Sequence, residues 1–483
     1  MSTSSAIRAL QPTKLWNAFA DLNAVPRGSK KEEKVSQFVE ARGRALGLET
    51  HRDHVGNVLI KKPASSGYES HPTVVLQAHI DMVWQKNSDS SFDFESMGIA
   101  MELDGDWVKA LGTTLGADNG IGVATMFSVL ESSDVQHPPL ECLFTIDEET
   151  GMTGAKELSS SWCDGRVLLN LDTEQDNELT IGCAGGADVT AIGTYSEEAA
   201  PRGLSMQIAV RGLKGGHSGM EIHLGRGNAN KIMNRLLIGA QAFGVRIASI
   251  DGGGLRNAIP RESTSMIVVP QDQADAFAMW IMKEALTVRM ENSVTDPNLQ
   301  ITCMPSNETI ERVMNLETQR LLLATIAGTV SGIYRMSPSI AGLVQSSNNL
   351  ARVIVQKGQC TLMCLARSSV DSERVELTQS LKAILSLVGK VEIAGEYPGW
   401  QPLPSSNIVQ TMRTIYHEMF GEEPHVAACH AGLECGIIGG KFPGMEMVSF
   451  GPNILGAHSP DERVQVSSVQ KFYRYFLKVL ASL

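Results

Sequence analysis

The sequence predicts an α/β domain, a mixed and mostly parallel sheet between helices, interrupted by an inserted α+β domain. Three observations predict it. Apolar runs of strand length, TVVLQAHI, LECLFTID and VLLNLDTE, alternate with helical stretches over the first 190 residues. Buried strands alternating with helices imply a parallel sheet covered on both faces. From about residue 195 the order becomes strand, helix, two strands, helix, and after about residue 396 the first rhythm returns. The expected division is 1–190 for the first part of the host domain, 191–396 for the insertion and 397–483 for the second part. An insertion of this kind is tolerated where the host's chain ends lie close together.

Taken in order, Ser29-Lys30-Lys31-Glu32 reads as a capping box. Val35, Phe38, Val39 and Leu46 follow on one helical face, and Gly47 closes the helix. ETHRDHVGNVLIKK reads as two short strands around Gly56-Asn57. NGIGVATMFSVLESS is a helix between the first two apolar strands. In the insertion, SMQIAVRG, ANKIMNRLLIGAQAF, VRIASI, TSMIVVP and DQADAFAMWIMKEAL form one β-α-β-β-α unit. LQITCMP, TQRLLLATIAGTV, LARVIVQ, TLMCLARS and ELTQSLKAILSLV form a second beside it. MWIMKEALTVRM reads as helix core. NIVQTMRTIYHEMF and EMVSFGP return to the host as helix and strand.

The bulk properties exclude several classes. A formal net charge of −12 argues against a nucleic-acid surface, which needs clustered Lys and Arg. No apolar run reaches the roughly 18–20 residues that span a bilayer. The opening MSTSSAIRALQPTKLW lacks the apolar stretch and cleavage site of a signal peptide. The 8 cysteines include no CxxC pair, which fits a reduced, cytoplasmic protein.

Polar clusters sit at the ends of the apolar strands or in glycine-rich loops. They are AHIDM (His79, Asp81), LGADNGIG (Asp118), TIDEETG (Asp147, Glu148, Glu149), NLDTE (Asp172) and GAHSPDE (His458). Each alone has an ordinary reading. His79 and Asp81 could be a surface pair, the acidic triplet a solvated turn, Asp118 a helix cap, Asp172 a polar strand end and His458 a turn residue. Together they form a mixed nitrogen and oxygen donor set in one domain. That set suits Zn²⁺, Mn²⁺ or Co²⁺ better than Mg²⁺ or Ca²⁺, which prefer oxygen alone. Ligands in such sheets collect beyond the C-terminal strand ends.

AHIDMV, GADNGIG, TIDEETGMTGA, LLNLDTE, KGGHSGMEI and GAHSPDE, in this order, resemble the M20-type co-catalytic metallopeptidases. CHAGLECG and the doubled insertion bring the chain closest to the dipeptidases of that family that act on aminoacyl-histidine. The resemblance covers essentially the whole chain. It implies two divalent ions, zinc first, with cobalt or manganese as alternatives. His79 and Asp172 would hold one ion, Glu149 and His458 the other, and Asp118 would bridge them. Asp81 would orient His79 from its other ring nitrogen, and Glu148 would be the general base toward a water shared by the ions, whose pKa falls towards about 7. The family further implies a cis peptide after Asp118. The insertion becomes a lid and dimerisation domain, with His217 stabilising the oxyanion and, in related dimers, reaching the partner's site. Asn257, Arg367, His430 and Glu434 match substrate-binding positions. By their residues alone, His217 reads equally as a glycine-flanked turn and Arg367 as a surface arginine. CHAGLECG departs from the GGTDAR-like loop of many deacylases of the family, so their side-chain preference does not carry over.

The implied function is hydrolysis of dipeptides with a free amino end, Xaa-His such as β-alanyl-histidine, by a cytoplasmic homodimer without nucleic-acid or membrane partners. The same metal core would serve an N-acyl-amino-acid deacylase. A metal-binding scaffold without catalysis is the reading from another class, and Glu148 argues against it. His51, His54, His71, His137, His223, His417 and His425 match no motif.

Overall fold

Val74–His79 is buried along its whole length and lies between two parallel neighbours, Leu140–Thr145 and Val167–Asn170. Glu446–Ser449 continues the parallel set beyond Val167–Asn170. Val58–Lys62 and Glu49–Arg52 add antiparallel strands on one side, and Glu178–Cys183 and His425–Cys429 complete an 8-stranded sheet on the other. The register sets His79 opposite Thr145 and Gln77 opposite Asn170. The three central strands therefore end at one edge of the sheet, and the acidic segments that follow them emerge together.

The computed structural model describes residues 3–88 and 90–483. The chain forms two compact units. One comprises the chain up to Gly182, Pro402–Ala428 and Leu433–Leu483; the other comprises Cys183–Gln401 and Cys429–Gly432. Strand Gly185–Thr194 straddles the boundary expected at 190 because it pairs along its length with Gln359–Ser368 of the second unit. Lys390–Tyr397 straddles the boundary expected at 396 for the same reason, pairing with Gly185–Thr194.

In the first unit, the helix Ala117–Leu130 is buried on nearly every side, as its apolar composition requires. Asp118 and Asn119 depart from helical geometry within it, and the peptide between them is cis. The expected capping box is not formed. The helix Glu33–Ala45 starts three residues later than that pattern requires, with Glu32 at its cap position and no side-chain cap bond; Glu32 Oε1 accepts the N–H groups of Lys30 and Asp147 instead, and Ser29 Oγ donates to Asp81 Oδ2 at 2.8 Å.

The second unit holds a 9-stranded sheet with a large apolar core, to which its long helices Ala229–Ala240, Ala274–Glu291, Leu316–Gly328 and Asp371–Leu385 contribute, and a small separate cluster of Ile222, Ile259 and Val344. Its two halves are nested rather than consecutive. Gln300–Pro305, expected to open the second β-α-β-β-α unit, closes the first by pairing with Gly203–Arg211. The opening strand of the second half is Gly185–Thr194, which precedes the whole first half in the chain. The halves meet where Arg246–Gly253 pairs with Val344–Gln356. The methionines of Ala274–Glu291 are not core as expected. Phe277, Ile281 and Val288 face inward, while Met279, Met282 and Met290 are 70%, 70% and 76% exposed. Among the described residues no helix is long and apolar enough to cross a membrane.

Candidate metal centre

His79 ends its strand with a fully buried imidazole. Asp81 Oδ1 lies 3.4 Å from His79 Nδ1, so the other ring nitrogen, Nε2, faces the acidic groups. It lies 3.1 Å from Asp118 Oδ1 and 3.4 Å from Asp172 Oδ1. His458 arrives from a loop in left-handed backbone conformation, φ 63°. Its Nε2 lies 3.2 Å from Asp118 Oδ2 and 2.9 Å from Glu149 Oε2. The two oxygens of Asp118 thus face two different histidines, and each histidine faces a further carboxylate.

Asp81 serves more than the ring of His79. Its Oδ1 also accepts the backbone N–H of Glu148 at 3.1 Å, and its Oδ2 accepts that of Glu149 at 3.3 Å. Asp81 therefore faces the imidazole with both its carboxylate and its backbone carbonyl, which lies 3.2 Å from His79 Nδ1, while its carboxylate also fixes the segment carrying Glu148 and Glu149. Asp147 forms the turn itself: φ is 55°, and it accepts the hydroxyls of Thr150 and Thr153. That turn swings the next two acids back over the strand ends.

These residues fit a pair of divalent cations. Two donors about 2.0–2.2 Å from one tetrahedral ion lie about 3.3–3.6 Å apart, close to the separations above. Donor atoms of His79, Asp118 and Glu149 also lie within 4.8 Å of one another, so the two donor pairs adjoin. Glu149 Oε1 is buried with no partner among the described residues. Burial, reinforced by neighbouring acids, raises Glu149 and pushes Asp172 up to about 7. Burial also raises Glu148 well above the usual carboxylate range, with Asp172, Glu434 and Glu149 adding to it and His79 opposing. Asp118 is the exception, since hydrogen bonds to His458 and His79 outweigh its burial and hold it low. Hydrogen bonds to Asp118 and Glu149 push His458 up to about 11. A proton between two carboxylates stands where a cation would bind, and metal binding releases such protons.

Two buried charges that sequence reasoning missed hold the loops. Glu462 accepts the backbone N–H groups of Leu115, Gly116, Ala117 and Asp118 at 2.7, 2.9, 2.7 and 3.3 Å. Arg27 donates to the carbonyls of Ile80, Asp81 and Gly116 at 3.3, 3.2 and 2.5 Å. Gly116 has φ 71°, and a Cβ there would lie 2.3 Å from the Arg27 guanidinium, so this position needs glycine. Glu462 was within sight, in GAHSPDE beyond His458; Arg27 carries no periodic signal.

Glu434 is 3% exposed, and its Oε2 accepts hydrogen bonds from Gln77 and Thr145, both at 2.7 Å. Gln77 Oε1 accepts from Asn170 at 2.5 Å. The network joins the three central strands two to three residues before His79, Glu148 and Asp172. Burial pushes Glu434 up to about 8.

The second unit gathers His217, Arg367 and His430. His217 Nδ1 accepts the backbone N–H groups of Gly219 and Met220 at 3.2 and 3.0 Å. The ring proton therefore sits on Nε2, and burial, with Arg367 adding to it, lowers the pKa so that the ring stays neutral. Arg367 is 4% exposed; it donates to Tyr397 Oη at 3.0 Å, and its Nε has no partner among the described residues. His430 Nε2 lies 2.8 Å from Ser347 Oγ, and burial followed by Arg367 pushes it down to about 3. The Asn257 carbonyl accepts the N–H of Ser218 at 2.7 Å.

Comparison with known proteins agrees with this geometry. The family model described as Peptidase family M20/M25/M40 matches residues 75–482. The chain is 39% identical over 479 residues to the cytosol non-specific dipeptidase of Escherichia coli, covering 99% of both chains. It is 40% identical to the aminoacylhistidine dipeptidase structure from Vibrio alginolyticus, with a TM-score of 0.94 and coverage of 99% of this chain and 98% of that one. The aminopeptidase PepT structure from Bacillus cereus, 15% identical with a TM-score of 0.57 and coverage of 98% of each chain, shares the fold. The sheet, the ordered motifs and a full-length match at this identity have one reading: the chain is a member of peptidase family M20/M25/M40, whose members are hydrolases.

Proposed function

We propose that the chain is a dinuclear metal-dependent dipeptidase acting on dipeptides with a free amino end, Xaa-His such as β-alanyl-histidine. The observation that carries the reading is Asp118, with one carboxylate oxygen toward His79 and the other toward His458. His79 and Asp172 hold one ion and Glu149 and His458 the other; the donor set favours zinc, with cobalt or manganese as alternatives. Two bound cations supply Lewis-acid polarisation and a water acidic enough to act near neutral pH. Glu148 takes the proton of the attacking water and returns it to the leaving amine. His217 donates from Nε2 to the oxyanion. Arg367, with Asn257 and His430, receives the substrate's carboxylate end, and Glu434 presents its second oxygen to the substrate. The name of the Escherichia coli relative supports a cytoplasmic setting.

The test is a panel of dipeptides and N-acetyl amino acids given to protein stripped by chelation and reloaded with zinc, cobalt or manganese. The expected result is cleavage of β-alanyl-histidine and other free-amino dipeptides, with two ions bound per chain. Turnover of N-acetyl amino acids alone would instead make it a deacylase.

The partner reading is a second copy of this chain. Gln300–Pro305 is the outermost strand of its sheet, beside the exposed Met279, Met282, Leu286 and Met290. An open strand edge next to an apolar stripe is self-complementary across a two-fold axis. Met282→Glu with Met290→Glu is expected to shift the mass in sedimentation from two chains to one; an unchanged mass rejects this face.

A further inference from the structure

Val344–Gln356 runs through the interior of the nine-stranded sheet, where apolar residues are the rule. It begins instead with Gln345, Ser346, Ser347, Asn348 and Asn349, all buried. A buried amide left without partners costs about 1–3 kcal/mol, so the contacts of each residue matter. Asn349 is 1% exposed. Its Nδ2 donates to the carbonyls of Arg256 and Ala258 at 3.0 and 2.8 Å. Its Oδ1 lies 3.4 Å from Asn228 Nδ2, and Asn228 caps the helix Ala229–Ala240. The two carbonyls that Asn349 holds flank Asn257.

The loop of His217 rests on that same segment. Ser218 donates its N–H to the Asn257 carbonyl at 2.7 Å, and Ile259 donates its N–H to the Gly216 carbonyl at 2.9 Å. His217 and Ala258 form an isolated antiparallel bridge. Gly215 and Gly216 take φ values of 64° and 132°, so the chain before His217 lacks the regular backbone of a helix or strand. Glu221 accepts the His217 N–H at 2.8 Å and Arg226 donates to the Gly215 carbonyl at 2.5 Å; on its other side the loop is held by the 256–259 segment, and that segment is gripped from the sheet by Asn349.

We propose that Asn349 is a positioning residue for His217: it fixes the 256–258 carbonyls, and through them the direction of the His217 Nε2–H. The inference rests on the reading that His217 donates to the oxyanion. A misplacement of about 1 Å can cost a catalytic step about 100-fold.

The test is a double-mutant cycle on the metal-loaded protein, using β-alanyl-histidine or, if that is not cleaved, the panel dipeptide cleaved fastest. Asn349→Ala is expected to lower kcat by about 10–100-fold, with KM changed less than kcat and two ions still bound. Combined with His217→Ala, it is expected to add nothing to the loss caused by His217→Ala alone. A merely structural role would lower the double mutant further. If Asn349→Ala does not fold, Asn349→Asp keeps the size of the side chain, removes both donated hydrogen bonds and carries the same expectation. Wild-type kcat in a folded Asn349 variant, or losses that multiply with those of His217→Ala, would overturn the inference. Wild-type turnover by His217→Ala would overturn the oxyanion reading beneath it.

Discussion

Glu148→Gln is expected to lower kcat by about 10²- to 10⁴-fold, the range for loss of a general base, while two ions remain bound per chain. The substitution preserves size, and the backbone N–H of residue 148 stays bonded to Asp81, so the turn keeps its shape. What disappears is the only property the proposed mechanism asks of this side chain, an oxygen that can accept a proton and return it. Among the described residues no histidine or carboxylate is hydrogen-bonded to the Glu148 side chain, whereas Glu149 lies 2.9 Å from His458. The proposed mechanism therefore gives the adjacent acids different duties. Metal content by mass spectrometry and kcat by amine release separate them: full activity in Glu148→Gln would place the base elsewhere, and loss of an ion would make Glu148 a ligand.

The parts of the site that lie at strand ends were legible because a buried apolar run that stops at His79, or just short of Asp147 or Asp172, announces both a strand and its polar terminus. The register that brings those ends together was not, since hydrogen bonding between Val74–His79 and its neighbours leaves no mark on local sequence. Arg27 and Glu462 escaped notice for a related reason. Apart from the Asn23 side chain, which Arg27 also reaches, their partners named above are backbone carbonyls and N–H groups, which carry no residue-specific mark. Ser29 matched the pattern of a helix cap, but the helix begins only at Glu33, which leaves Ser29 short of the cap position with its hydroxyl donating to Asp81. The nesting of the two halves of the second unit shows the same limit at larger scale. Nothing local in Gln300–Pro305 says which half it joins; only its long-range pairing with Gly203–Arg211 does, as pairing with Gln359–Ser368 does for Gly185–Thr194. The methionines of Ala274–Glu291 misled because an apolar side chain signals burial without saying whether this chain or another supplies the cover.

Asp118→Asn tests the centre rather than the base. Two divalent cations about 3.5–4 Å apart repel each other by on the order of 10–20 kcal/mol at an effective dielectric near 20. In the proposed arrangement Asp118 would face both ions, and its single carboxylate would offset that repulsion more than a ligand of one ion could. Asparagine keeps the shape, and Glu462 still grips the backbone from Leu115 to residue 118, so the loop is expected to persist. The amide is neutral and offers one acceptor oxygen, enough for one ion. Zinc content is therefore expected to fall from two ions to at most one per chain, and kcat with it by at least about 100-fold. Asp172→Asn, which on the same proposal would remove a ligand of one ion only, is expected to weaken that ion and spare the other. Two zinc ions bound to Asp118→Asn with unchanged affinity would mean that the carboxylate between His79 and His458 is not the bridge, and the two-ion arrangement would have to be rebuilt around Glu149.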